Sequence, residues 1–149
     1  MMNRSRSGIS PVVATVILVA IAIVIAIAVA FWATGLVGIF TRYEKLEITS
    51  IYPDPQTREV VLIVRNTGSA DASIDEIFVN GRPCGGGCNL NPAISTDNPE
   101  AISVGDTLVI RISNPPATVT NGEWVSGVTY EVAVHTASGK MYPAAVLIP

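Results

Sequence analysis

The 149-residue sequence predicts an α+β fold in which a long N-terminal apolar helix precedes an antiparallel β-sandwich. Three observations carry that expectation. Ile9 to Thr41 is a run of 33 residues without a charge. At Arg42-Tyr43-Glu44-Lys45 the composition changes abruptly to mixed charge with recurring turn residues. Beyond that point, short stretches rich in Val, Ile, Thr and Tyr alternate with clusters of Gly, Pro, Asn and Asp, which is the texture of strands and turns.

The apolar run is read as a helix. At ~1.5 Å rise per residue it would extend roughly 50 Å. That is several turns more than a bilayer core of ~30 Å requires, which is about 20 residues. It also exceeds the ~7–15-residue apolar region of an ordinary secretory signal. The stretch VAIAIVIAIAVA alternates with period two, as a strand would. Length decides against a strand, since strands seldom pass ~10 residues. A lone strand in lipid would also leave its backbone groups unpaired. Ser10 and Pro11 suit a helix start, where the missing proline N–H has no cost. Gly35 and Gly38 weaken the far end by roughly 1 kcal/mol each relative to Ala.

A helix apolar all round must be covered all round, by lipid or by protein. Ala22, Ala26, Ala30, Thr34 and Gly38 fall four residues apart and form a stripe of small side chains, widened by Ala14, Ala20, Ala28, Ala33 and Gly35. Such stripes let helix backbones approach closely. The plainer alternative is that alanine is common in membrane helices. Arg4 and Arg6 ahead of the run favour a cytoplasmic N-terminus and an external C-terminal part. Phe31 and Trp32 fall near the expected outer interface, a level that aromatic side chains favour.

The outer part, residues 43–149, is long enough for one small domain. Its expected strands are Leu46–Tyr52, Glu59–Asn66, Ser73–Val79, Thr107–Ser113, Thr129–Thr136 and Lys140–Ile148, with a weaker one near Ala101–Val104. Asn80-Gly81 is a strong tight-turn signal. Pro143 marks the last strand as an edge or a bulge. Six or seven such strands suggest an antiparallel sandwich.

Cys84 and Cys88 bracket three glycines. Outside the cell a disulfide is expected, closing a small loop at the tip of a connection. Free thiols and metal ligation are the alternatives, although a structural zinc site needs four ligands. The one histidine, His135, alternates with Val132 and Val134 and reads as an ordinary strand residue. Asp54, Asp75 and Glu76 read as solvated charges. The glycine run lacks the Gly-Lys-Ser/Thr of a phosphate-binding loop. No nucleophile elbow, metal triad or acid/base pair is present, so no enzyme activity, metal or cofactor is expected. The net charge of −3 does not invite nucleic acid. The one N-x-S/T match, Asn3-Arg4-Ser5, precedes the apolar run, leaving Thr118 and Thr120 as candidates for sugars on hydroxyls.

The leader MMNRSRSG followed by Ile9-Ser10-Pro11-Val12-Val13 and the apolar helix resembles the archaeal type IV pilin group and its class III signal peptide. The resemblance covers roughly the first 40 residues. It implies cleavage by a prepilin peptidase between Gly8 and Ile9, after the basic Arg4 and Arg6. Ser7 separates Arg6 from Gly8, whereas many members have the basic residue directly before the small one. Val13 holds the fifth mature position, where bacterial pilins have Glu and archaeal ones commonly do not. Loss of residues 1–8 takes Lys plus Arg from 9 to 7 against 12 acids, and net charge from −3 to −5. More loosely, RNTGSADASIDEIFVNG, SVGDTLVIRI and TYEVAVHTASGK resemble the immunoglobulin-like outer domains of archaeal pilins and archaellins.

The resemblance divides the chain into a leader (1–8), an apolar helix that is first membrane anchor and then filament core (9–42), and an extracellular sandwich (43–149). It implies a subunit of a type IV pilus that polymerises with itself for surface adhesion. The implied partners are the peptidase, an assembly ATPase, a membrane platform protein and, before assembly, the cytoplasmic membrane. Gly35–Arg42 is the expected mobile joint. Two alternatives share the architecture: an archaellin, against which the Ser-Pro start argues, and an anchored accessory pilin that binds a sugar or peptide, with Trp124 as a candidate contact.

Overall fold

In the computed structural model the described residues are 10–149, with the side chains of Ile39 and Phe40 outside the description. The expected cut between Gly8 and Ile9 and the leader charges Arg4 and Arg6 lie outside them. The chain forms two compact units, one ending at Thr41 and the other running Arg42–Pro149.

The first unit is helix α1, Ser10–Phe40. Its 31 residues extend about 46 Å at ~1.5 Å each. Ser10 is already helical, so Pro11 lies within the first turn, as its fixed φ favours. The helix ends two residues before the charge at Arg42, and the Thr41 hydroxyl donates to the Val37 carbonyl at 2.8 Å.

The second unit is a sandwich of two antiparallel sheets. Strands β1 (Leu46–Pro53), β2 (Val60–Asn66), β3 (Ala72–Val79), β4 (Arg82–Pro83), β5 (Leu90–Asn91), β6 (Glu100–Ile102), β7 (Thr107–Ile112), β8 (Thr129–Thr136) and β9 (Met141–Leu147) follow in order, with one helical turn, α2 (Ala117–Thr120), before β8. One sheet runs β1-β2-β7-β5; the other runs β4-β3-β8-β9, with β6 also on β3. The two inner faces supply the core, with Val60, Leu62, Val64 and Ile110 on one side and Ile74, Ile77, Val132 and Val134 on the other, all fully buried. Strand alternation produces this for Val60, Leu62 and Val64 and for Val132 and Val134, since successive side chains point to opposite faces.

Asn80 and Gly81 both have positive φ (49° and 73°), as the two-residue turn joining β3 to β4 requires. Among the described residues β9 is an edge strand paired with β8, so the missing N–H of Pro143 interrupts no central ladder.

Two strands break alternation. The β1–β2 register shifts between Ile48 and Ser50, and the β3–β8 register shifts between Ile74 and Glu76. In each case one extra residue lets two isoleucines three apart face the core: Ile48 with Ile51, and Ile74 with Ile77.

The chain enters the sandwich through a stapled segment. The Thr67 and Gly68 amides donate to the Lys45 carbonyl, and the Ser69 and Ala70 amides donate to the Tyr43 carbonyl. From the other side, Lys140 Nζ donates to the Glu44 carbonyl at 2.8 Å and the Ser138 hydroxyl donates to the Glu44 carboxylate at 3.0 Å. Asn66, 1% exposed, ties this corner together. Its Nδ2 donates to the carbonyls of Ala70 and Ile102, and its Oδ1 accepts from the Gly68 amide. Gly68 must be glycine: a Cβ there would sit 2.5 Å from the Tyr43 oxygen and 2.6 Å from the Lys45 nitrogen.

Candidate functional site

The surface that sequence singles out is the side of α1 carrying Ala22, Ala26, Ala30, Thr34 and Gly38. All five are exposed, as is every other described side chain of the helix except the half-buried Leu36. The span Ser10–Gly38 is long and apolar enough to cross a membrane. Phe31 and Trp32 are 76% and 69% exposed.

At about 100° per residue, each four-residue step advances about 40° around the axis. The five positions therefore wind through about 160°, along an i±4 ridge rather than parallel to the axis. A partner following them must cross at an angle. Polar chemistry is committed within the helix itself. The Thr15 and Thr34 hydroxyls donate to the carbonyls of Pro11 and Ala30, each at 2.7 Å. The Thr34 hydroxyl is thus already satisfied within its own helix. A Cβ at Gly35 or Gly38 would meet nothing within 4 Å, so no packing in the described chain calls for glycine at either position.

Cys84 and Cys88 are joined by a disulfide. The bond is not at a solvated tip. Both cysteines are buried in the core cluster, and only Gly85, Gly86 and Gly87 between them are exposed. The Glu76 carboxylate accepts from the Gly85 amide at 3.0 Å and fixes one side of that loop. Among the described residues, no group of three His, Cys, Asp or Glu side chains is placed to hold a metal ion.

Asp75 is the residue left over at the β3 bulge, and it is not simply solvated. Its Oδ1 lies 2.5 Å from His135 Nδ1, with the side chains 17% and 28% exposed, and the Phe78 ring stands 5.9 Å from the imidazole. Among the described residues no hydroxyl or thiol is hydrogen-bonded to His135.

Asp54 is also engaged. Its Oδ1 accepts from the Gln56 and Thr57 amides (2.9 and 3.4 Å), and its Oδ2 lies 3.6 Å from Arg111 Nη1. The Gln56 amide is the main cause holding this carboxyl below its ordinary value; partial desolvation opposes it, and Thr57 and the Arg111 charge add to it. Arg111 also reaches Glu59 at 3.6 Å. Trp124 stands edge-on to Tyr130 with ring centroids 4.9 Å apart.

No protein-family model matches this chain, and no curated protein is significantly similar to it in sequence. Among solved structures it is similar to the archaellum periplasmic stator protein FlaG from Sulfolobus acidocaldarius, at 18% identity and a TM-score of 0.47, over 69% of this chain and 99% of that one. It is also similar to the archaeal flagellum of Methanospirillum hungatei strain JF1, at 12% identity and a TM-score of 0.49, over 95% of this chain and 93% of that one.

Proposed function

We propose that this chain is a structural, non-enzymatic subunit of an extracellular filament of the archaeal type IV pilus kind, polymerising through α1 for surface adhesion. The observation that carries the reading is the helix itself: 31 residues, apolar around its whole circumference, with its threonine hydroxyls internally satisfied and its surface uncovered. The leader motif explains how such a helix is released. A prepilin peptidase cuts between Gly8 and Ile9, and Arg4 and Arg6 hold the precursor with its N-terminus inside and its sandwich outside.

Before assembly, lipid covers α1. An assembly ATPase and a membrane platform protein then move it into a bundle of identical helices. Exchange of one apolar surrounding for another gains little hydrophobic free energy, so association rests on close packing. Ala22, Ala26, Ala30, Thr34 and Gly38 supply the close approach, which also accounts for glycines that nothing in the described chain requires. The polymer stays open because each subunit presents different faces to its neighbours. Gly35–Arg42 is the joint, and the staple from Tyr43 onward holds the sandwich side of it rigid. The Ser10-Pro11 start favours a pilus over an archaellum.

The test is microscopy of the sheared surface fraction of the source cells, with N-terminal sequencing of the filament band. The reading expects filaments containing this chain and beginning at Ile9. A chain beginning at Met1 and found only as membrane-bound monomers would reject it. Replacement of Gly8 by a bulky residue should accumulate precursor.

A further inference from the structure

A cleft of about 370 Å³ opens at one end of the sandwich, walled by the β1–β2 turn, the loop before β8 and the chain after β9. It falls at the small end of the roughly 300–1,000 Å³ typical of small-molecule sites. Five of its lining residues bring chemistry: Asp54, Arg58, Glu59, Trp124 and Ser126.

The acceptors are fixed in place. Asp54 is held by the turn amides, and Glu59 receives the Ser113 hydroxyl at 2.7 Å, while Arg111 lies 3.6 Å from both carboxylates. An ionised carboxylate has about four acceptor positions, so both of these lining residues keep unused capacity. The donor is free. Arg58 is exposed and forms no ion pair among the described residues, while Arg111 lies against Asp54 and Glu59. Its backbone is left-handed, with φ at 59°, in a turn closed by the Arg58 amide on the Asp54 carbonyl and the Asp54 amide on the Glu59 carbonyl. Glycine would suit that conformation better, so the guanidinium is not there for the turn's sake.

The aromatic wall is equally fixed. Trp124 meets Tyr130 edge-on, and the Tyr130 hydroxyl accepts the next amide along, that of Val125, at 3.1 Å. The Trp124 indole N–H is buried without a hydrogen-bond partner among the described residues. For a side chain serving packing alone, phenylalanine would avoid that defect.

An aromatic wall, two oriented carboxylates and a forked cationic donor suit a ligand with an apolar C–H face and a rim of hydroxyls. An anion would meet Asp54 and Glu59. A purely apolar ligand would desolvate charges without pairing them. A proline-rich peptide needs an aromatic-lined groove, and this cleft has one aromatic side chain. We propose that the cleft binds a neutral hexopyranose unit, with its ring against Trp124, its hydroxyls donating to Asp54 and Glu59, and a hydroxyl oxygen accepting from Arg58. The proposal does not depend on filament assembly.

The test uses the full chain in detergent with W32F, leaving Trp124 as the sole tryptophan reporter. Fluorescence is followed during titration with glucose, galactose, mannose, N-acetylglucosamine, glucuronate and a proline-rich peptide, into the millimolar range. At least one neutral sugar should give a saturable change. R58G should weaken that response by about tenfold while unfolding at the same or a higher temperature, because glycine adopts the turn without strain. E59Q should weaken it as well. The proposal is overturned if no neutral sugar produces saturation, if glucuronate or the peptide alone does so, or if R58G binds as the parent does.

Discussion

Asn66 is a single buried amide on which the corner between two strands and the incoming chain depends, and Asn66→Ala tests that dependence. Three hydrogen bonds are lost: Nδ2 to the carbonyls of Ala70 (2.9 Å) and Ile102 (3.0 Å), and the Gly68 amide to Oδ1 (3.0 Å). At about 1 kcal/mol net each, they account for about 3 kcal/mol, and buried groups left unpaired raise the loss toward about 5 kcal/mol. For a domain of this size that corresponds to a fall in Tm of about 12–20 °C. The assay is thermal unfolding of the full chain in detergent, followed by Trp124 fluorescence in a W32F background. Hydrogen exchange adds a local readout, because the Gly68 amide, left with the Lys45 carbonyl as its one acceptor, should exchange faster relative to the β2 and β7 amides than in the parent. A fall in Tm below about 4 °C would refute the assignment of Asn66 as the tie.

Gly68→Ala should destabilise the same corner by about 2–4 kcal/mol, because its Cβ would collide with backbone at Tyr43 and Lys45, which cannot rotate away; parent-like urea unfolding would contradict this. Reduction of Cys84–Cys88 should cost about 2 kcal/mol from the small loop it closes; parallel melts with and without reductant measure it, and coincident melts would count against it. Asp54 has a folded pKa below its unfolded value, so its contribution is present above the unfolded pKa of about 4 and is lost as pH falls below that. D54N should remove that part of the acid sensitivity, and a stability profile between about pH 5 and pH 2 superposable on the parent's would contradict the assignment.

The strands are legible because alternation and turn residues act locally. Asn80-Gly81 and Pro143 each forecast their own geometry, one by positive φ at both turn positions and one by a place at a sheet edge. The bulges escape a reading based on alternation, although their trace is in the sequence: Ile48 and Ile51, like Ile74 and Ile77, stand three apart in strands that otherwise alternate. Recognising the second pair as a bulge would flag Asp75 as a residue turned toward a neighbour. Its partner His135 lies 60 positions away, and only the β3–β8 register brings the two together. The short strands β4 and β5 escape because two residues carry no periodicity. Asn66 reads as a strand end, since nothing local says that its amide is buried. The cleft beside Trp124 joins residues near 54, 124 and 148 and exists only in the fold. The helix is the most legible element, since the length of its uncharged run decides against a strand.

On the proposed function, α1 is the polymerising element and packs through its small stripe. Ala26→Phe in the source cells, scored by membrane fractionation and by electron microscopy of the surface fraction, tests it most directly. Ala26 is exposed on the helix, and phenylalanine leaves the span as apolar as before, so insertion should be unchanged. Processed subunit should be present in the membrane in normal amounts, with no filaments at the surface. Filaments of parental abundance and diameter built from the Ala26→Phe subunit would contradict it.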